Sequence, residues 1–404
     1  MIRLRTPVVA RSYALLILTV SLLLGGCSRF AAKIAKQYVY VTAKQTYLRD
    51  RVAAVSNRTG TVENGDRLEV LEHGRRFLRV QTAKGETGWI DEKVVATQEV
   101  SDGFDSLKAE HGRDPAVASA VVRDDVYLHL KPGRDTEKLY RLPEGEKLKL
   151  LRRATLEKAL PPGQRAPSAA TAAPSARSES GKAPGLDGGK KVGAKGLPVV
   201  AAPTEPAMED WWMVRDSQGR TGWMVSRMMD VDAPESLTRY AEGQRIVGAY
   251  LLTKVSDPEA AMDDKDVPEY VTVLSPYKAG LPYDFDQVRV FTWNVKKHRY
   301  ETGFREKNVE GYLPIEIKLA PDPYAKAAAA SVPAPTFSYR VLTADAPAVV
   351  PDATTGALVP SKTLVKTYRL EGNLVRRVIA PNTTAPEIAH PLPVEEKKKG
   401  RRRR

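Results

Sequence analysis

The stretch WWMVRDSQGRTGWMVSRMM at residues 211–229 decides the fold, because an earlier part of the chain repeats it. The earlier copy, FLRVQTAKGETGWIDEKVV at residues 77–95, aligns with it over 19 positions without a gap. Both copies contain the pattern Gly-x-Thr-Gly-Trp, and further upstream Tyr47 aligns with Tyr127. Self-similarity on this scale predicts two copies of one structural unit.

Each copy is predicted to consist of short antiparallel strands. In the first copy, Leu78 and Val80 alternate with polar neighbours, the period of two that is typical of half-buried strands. Gly85 and Gly219 each lie in a short polar segment, where a tight hairpin turn needs a positive φ. Several such strands within about 60 residues indicate a small β-barrel.

The repeated unit resembles the bacterial SH3 (SH3b) module, whose hallmark is a strand like WWMV followed by a G-x-T-G-W turn and strand. The resemblance implies SH3b-like barrels at residues 37–97 and 120–231, joined by a connector at 98–119 with one or two helical turns. It also implies a groove in which aromatic side chains accept an extended peptide. We expect Trp89 and Trp223 to lie in the barrel cores.

An insertion interrupts the second copy at about residues 154–208. It is rich in Ala, Pro, Gly, Ser and Lys, and it has too few apolar groups to offset the entropy of ordering the chain. The sequence therefore predicts a disordered segment that replaces the short turn at 73–76 and forms a long hairpin loop. An interdomain linker between two half-modules is the alternative. The repeat favours the loop, and the cost of loop closure grows only slowly with length.

The N-terminus has the features of a lipoprotein signal peptide. Basic residues precede the apolar run ALLILTVSLLL at 14–24, which is too short for a confident membrane span. The sequence LGGC that ends at Cys27 resembles the bacterial lipobox, which implies removal of residues 1–26 and acylation of Cys27. An uncleaved anchor is the alternative. Ser28 resembles the pattern of lipoproteins sorted onward, so we expect a cell-envelope protein on the periplasmic side of the outer membrane rather than the inner.

Strand-like segments after Pro234 predict a C-terminal antiparallel β-domain at 236–380, for which the residues identify no family. The predicted strands are 245–255, 269–274, 287–295, 299–304, 311–318 and 337–342, with a hairpin over 366–378. Residues 381–404 end in EEKKKGRRRR and predict a disordered basic tail. The predicted fold class is all-β, with two small SH3-like barrels, a C-terminal antiparallel β-domain and long disordered insertions.

Composition and motifs argue against an enzyme. The chain has one Cys and five His, which excludes an intrachain disulfide, a Cys₄ zinc site and a CxxC pair. A wall peptidase of the kind often fused to SH3b modules needs a catalytic Cys, and Cys27 is the lipidation site. The acidic run at 257–266 lacks the glycine and the terminal Glu of an EF-hand loop, so we expect a solvated loop. We expect no catalytic residue, metal or cofactor.

Binding to a ligand is the function that the sequence favours. The ligand-binding candidates are aromatic residues of the two modules, namely Tyr47, Phe77, Tyr127, Trp211 and Trp212. Strand alternation places Trp211 and Trp212 on opposite faces, so one of them is expected in the core. In the C-terminal domain, Trp293, His298, Tyr300 and Phe304 form either a site or, by preference, a packed core with a histidine at its rim.

The expected function is non-catalytic binding of peptidoglycan or wall-associated peptides by a lipid-anchored envelope protein. Its expected partners are membrane lipid through Cys27 and peptidoglycan or envelope proteins through the modules. With a net charge of +14 on the chain, the basic tail either stays passive or binds anionic envelope polymers, and we expect no nucleic acid. The rival hypothesis is a structural or assembly lipoprotein that docks other envelope proteins without affinity for the wall.

Overall fold

The computed structural model describes residues 36–158, 207–325 and 331–383. The predicted signal peptide and lipobox, the body of the insertion and residues 384–404 of the basic tail lie outside these ranges. The described chain is nearly all β, with three antiparallel sheets of seven strands each, which confirms the predicted fold class. No helix in these three ranges is long and apolar enough to cross a membrane.

The first copy of the repeat, called module 1 here, is a seven-stranded sheet around a small apolar core. Its strands are β1 (Gln37–Val41), β2 (Gln45–Arg49), β3 (Arg58–Glu63), β4 (Arg67–His73), β5 (Phe77–Gln81), β6 (Thr87–Asp91) and β7 (Val95–Thr97). They pair in the order β3-β2-β6-β5-β4-β1-β7, and a 3₁₀ turn at Glu92–Val94 joins β6 to β7. The core is formed by Val39, Val41, Leu48, Val62, Leu68, Leu78, Val80 and Ile90.

The second copy, module 2, has the same strand order. Its strands are β8 (Ala118–Val122), β9 (Val126–His129), β10 (Lys138–Leu142), β11 (Lys147–Glu157), β12 (Met208–Arg215), β13 (Thr221–Val225) and β14 (Met229–Val231). The order β10-β9-β13-β12-β11-β8-β14 matches that of module 1 strand for strand. Gly85 and Gly219 adopt φ angles of 85° and 76°, as the predicted hairpin turns require.

The segment between the modules is more helical than the sequence suggests. Helix α1 spans Gln98–His111 and β8 already begins at Ala118, so the predicted connector at 98–119 is mostly helix and ends earlier. Phe104 on α1 is 2% exposed and packs edge-on against Tyr140, with 5.3 Å between the ring centroids. The sequence underestimates this helix because packing on module 2, rather than local propensity, stabilises it.

The strands on either side of the insertion pair with each other. β11 reaches Glu157, which lies opposite Met208 at the start of β12. The predicted insertion at about 154–208 therefore begins too early, since residues 154–157 are strand. Both halves of module 2 belong to one sheet, so the interpretation as two half-modules is wrong.

The extended β11–β12 ribbon docks on the third domain. The Arg153 guanidinium donates to the carbonyl oxygens of Leu281 and Tyr283, at 2.8 Å each. On the same strand, the backbone N–H of Thr155 donates to the Gly356 carbonyl at 2.8 Å. Module 2 and the third domain accordingly share one hydrophobic core, whereas module 1 keeps a core of its own.

The third domain is a meander in which each strand pairs with the next. After the short helix α2 (Glu235–Thr238), its strands are β15 (Arg245–Ser256), β16 (Asp266–Ser275), β17 (Phe285–Asn294), β18 (Arg299–Ala320), β19 (Ala334–Leu342), β20 (Thr363–Glu371) and β21 (Leu374–Val378). The predicted hairpin over 366–378 is confirmed, since β20 and β21 pair with Glu371 opposite Leu374.

Strand β18 is one continuous strand of 22 residues, so the prediction of separate strands at 299–304 and 311–318 is wrong. Its first half pairs with β17 and its second half with β19, and the partner changes at Gly311. A Cβ atom at Gly311 would lie 2.0 Å from Phe285 Cε2, so the close crossing of the strands needs glycine there.

An amide side chain of module 1 bonds to the backbone of module 2. Asn64, in the turn between β3 and β4, donates through Nδ2 to the Leu139 carbonyl at 2.9 Å. Its Oδ1 accepts from the backbone N–H of Arg141, also at 2.9 Å. Because β10 is an edge strand, Asn64 satisfies backbone groups that the sheet of module 2 leaves unpaired.

Candidate functional site

A largely apolar groove opens at one end of module 1, where the β2–β3 loop faces the β4–β5 turn. It has a volume of about 490 Å³ and is lined by Arg51, Val52, Gly74, Arg75, Arg76, Phe77 and Trp89. We call it the module 1 groove. A concave apolar surface with a few polar groups is the usual form of a ligand site.

Strand alternation turns the groove aromatics outward. Leu78 and Ile90 are 4% and 2% exposed and face the core, so Phe77 and Trp89, their neighbours in sequence, face the groove. Gly74 brings the turn against the indole ring, since a Cβ atom there would lie 3.1 Å from Trp89 Cζ3. Trp89 is only partly buried, so its predicted place in the barrel core is wrong.

Arginines surround the exposed indole. Arg49 on β2 and Arg79 on β5 are the cross-strand neighbours of Trp89, one on each side. Arg75 and Arg76 are exposed in the turn beside them. The module 1 groove therefore combines an aromatic platform with a strongly positive rim.

Tyr47 lies on the same outer face of module 1 but outside the groove lining. It is 39% exposed, and the Arg58 guanidinium lies over its ring at 3.8 Å from the centroid. Its counterpart Tyr127 in module 2 is partly buried, with Lys138 Nζ 4.7 Å from the ring centroid. Of the five aromatic candidates, Phe77 is the one that lines the groove.

Module 2 has the corresponding aromatic residues, but they are covered. Trp211 and Trp223 are 2% and 7% exposed. Trp223 is therefore buried, but it packs with Trp211 and Met213 on the outer face of the sheet, so its predicted place in the barrel core is wrong. The cross-strand neighbours of Trp223 are His129 and Met213, where Trp89 has two arginines. His129 also packs edge-on against Trp211 at 5.2 Å, and burial, together with the Lys138 charge, lowers the pKa of its imidazole.

An ion pair closes this end of module 2. Arg134, in the β9–β10 loop, binds both carboxylate oxygens of Glu209 on β12, with Nε 3.0 Å from Oε2. Burial raises the pKa of Glu209, but the Arg134 guanidinium outweighs burial and holds that pKa below its usual range. Trp212 faces the shared core and is 8% exposed. The prediction that Trp211 or Trp212 stays available to a ligand is therefore wrong, because both faces of β12 are covered.

Two of the four candidate side chains of the third domain, Trp293 and Tyr300, belong to a packed core, as expected. Trp293 and Tyr300 are each 6% exposed and pack edge-on at 5.0 Å. His298 lies at the rim, with Nδ1 2.8 Å from Asp257 Oδ2, and Phe304 belongs to a different cluster. These side chains do not form an open site.

The acidic run at 257–266 is not wholly solvated, since Asp257 is 1% exposed. The Trp293 indole donates to it at 2.7 Å, and this bond, together with His298, holds the pKa of the carboxyl below its usual range. No group of His, Cys, Asp and Glu side chains within the described ranges could hold a metal ion.

Residues 45–96 match the family model of the bacterial SH3 domain. The matched SH3 range runs from β2 into β7 and contains the whole module 1 groove. No curated protein matches the chain.

Two solved structures are similar to this chain at low identity. NlpC2 from Trichomonas vaginalis is 8% identical, with a TM-score of 0.14, over 51% of this chain and 54% of that one. An NlpC/P60 family protein from Bacillus cereus is 9% identical, with a TM-score of 0.20, over 66% of this chain and 98% of that one. This chain thus spans about half the length of the Trichomonas protein.

Proposed function

We propose that this protein is a non-catalytic cell-envelope lipoprotein that binds peptidoglycan or wall-associated peptides through the module 1 groove. Acylation of Cys27 anchors it on the periplasmic side of the outer membrane. The observation that carries the proposal is the open groove, in which Phe77 and the partly exposed Trp89 lie within the SH3-matched range. An extended peptide loses little entropy on binding such an aromatic surface.

Module 2 has a structural role in this proposal. Its aromatic residues are buried and its ribbon is held by the third domain. One chain therefore offers one wall-binding groove, and the tandem repeat does not add avidity.

Sedimentation with purified wall sacculi tests the proposal. Residues 28–404 should co-sediment at moderate salt, and Trp89→Ala should reduce the bound fraction severalfold because it removes the aromatic platform. Tyr277→Ala is the matched control, since Tyr277 is 74% exposed and lies in the third domain. If the wild-type chain stays in the supernatant, wall binding is abandoned.

The rival role, assembly with other envelope proteins, makes a different prediction. A stoichiometric partner should then co-purify with the chain, and sacculi should bind neither the wild type nor the Trp89 variant.

A further inference from the structure

Resting on the proposed function, we infer that the module 1 groove selects peptides that carry free carboxylates. The seven residues that line the groove include three arginines and no acidic residue. Arginine is suited to this role because its planar guanidinium can bind both oxygens of a carboxylate. A carboxylate held by Arg75 or Arg76 would place the adjoining peptide against Phe77 and Trp89.

Acidic residues beside the groove compensate only part of its charge. Asp50 lies 3.8 Å from Arg51, and Glu72 lies 3.7 Å from Arg79. The Asp91 carboxylate, on the same face as Trp89, instead accepts from the backbone N–H of the 3₁₀ turn at 2.9 Å.

Two groove arginines, Arg75 and Arg76, and the adjoining Arg49 therefore remain available to an anion. Within the part of the chain that the structure describes, no acidic group lies at ion-pair distance from Arg49, Arg75 or Arg76. Arg49 is oriented by a hydrogen bond from Nη1 to Ser56 Oγ at 3.3 Å.

The comparison between the modules shows that these charges are particular to the open groove. The two cross-strand neighbours of the tryptophan are arginines in module 1, whereas module 2 has His129 and Met213 at the same positions. The turn that carries Arg75 and Arg76 is replaced in module 2 by the β11–β12 ribbon. Arginines thus flank the tryptophan that is partly exposed, and they are absent beside the tryptophan that is buried.

The experiment compares two forms of one ligand. Binding of residues 28–404 is measured for a soluble wall stem peptide with free carboxylates and for the same peptide with its carboxyls amidated. We expect the free form to bind more tightly by up to about fivefold for each Arg–carboxylate pair, since an exposed pair contributes up to ~1 kcal/mol. The difference should shrink as salt screens the charges.

The double variant Arg75→Gln/Arg76→Gln should lose most of the preference for the free form. Its matched control is Arg113→Gln/Arg239→Gln, which removes two exposed positive charges away from the groove and should keep the preference. The four substituted arginines are exposed, and circular dichroism verifies that the variants fold.

The outcomes separate this inference from the proposed function. Equal binding of the two peptides, lost in Trp89→Ala, would leave wall binding standing and overturn carboxylate selection. Binding of neither peptide, together with no binding to sacculi, would overturn both. Binding only to vesicles that contain an anionic phospholipid would assign the positive rim to a membrane surface and likewise refute carboxylate selection.

Discussion

Replacing the tryptophan at equivalent positions of the two modules should have opposite consequences. Trp223 is 7% exposed and packs with Trp211 and Met213, so Trp223→Ala leaves a cavity. Truncation of a buried Trp typically costs about 3–5 kcal/mol of unfolding free energy. Trp89 is only partly buried against the outer face of its sheet. At ~25 cal/mol per Å² of apolar area, its truncation should cost only about 1–2 kcal/mol.

Urea unfolding followed by far-UV circular dichroism measures the loss of unfolding free energy in each variant without relying on tryptophan emission. Hydrogen exchange then assigns each loss to a module, because module 1 has its own core and module 2 shares one with the third domain. Sedimentation with sacculi should show the reverse order, with binding reduced by Trp89→Ala and kept by folded Trp223→Ala. Equal destabilisation by the two substitutions, or loss of binding only in Trp223→Ala, would refute the assignment of an open and a closed groove.

Three further predictions follow from particular contacts. Trp89 is the one tryptophan of five that is not buried, so Trp89→Phe should remove most of the emission that acrylamide quenches; unchanged quenching would contradict the open groove. Replacing Asn64 with Ala should accelerate amide exchange at Arg141 by at least about fivefold, because its acceptor is lost, and an unchanged rate would argue against the contact between modules. The pKa of Glu209 lies below its ordinary value of 4.5, so its bond to Arg134 stabilises the fold above that pH and is lost as the pH falls through the lowered value. Glu209→Gln should therefore be less stable than the wild type at pH 7 and lose less on acidification, and parallel pH profiles in thermal melts would refute this role.

The β-architecture could be predicted from the sequence because its signals are local. The alternation around Leu78 and the hairpin glycines Gly85 and Gly219 fix strands and turns within a few residues, and the structure has them. The 22-residue β18 could not be predicted in the same way. Its polar middle part resembles a loop, and it is a strand because of its pairing with β17, which depends on residues far away in the chain.

The candidate site was predicted only in part. The repeat predicts Phe77 as a ligand-binding residue. It also places Trp89 and Trp223 in equivalent environments, which they do not have. Their exposure differs because of what packs outside each barrel, such as the Arg134–Glu209 pair over module 2. One local signal was available, since Arg79 aligns with Met213, and a charge in place of an apolar side chain marks the open face.

The point at which the chain enters module 1 limits how far the groove can lie from the proposed anchor at Cys27. Gln37 Oε1 lies 2.8 Å from His73 Nε2, and His73 immediately precedes the Gly74 that touches the Trp89 ring. Nine residues separate Cys27 from Gln37. Because an extended chain spans at most about 3.6 Å per residue, Gln37 can lie at most about 35 Å from the proposed anchor. Under the proposed acylation of Cys27, this maximum span would limit the distance between the membrane and module 1, and the proposed wall binding would be restricted to strands near the membrane.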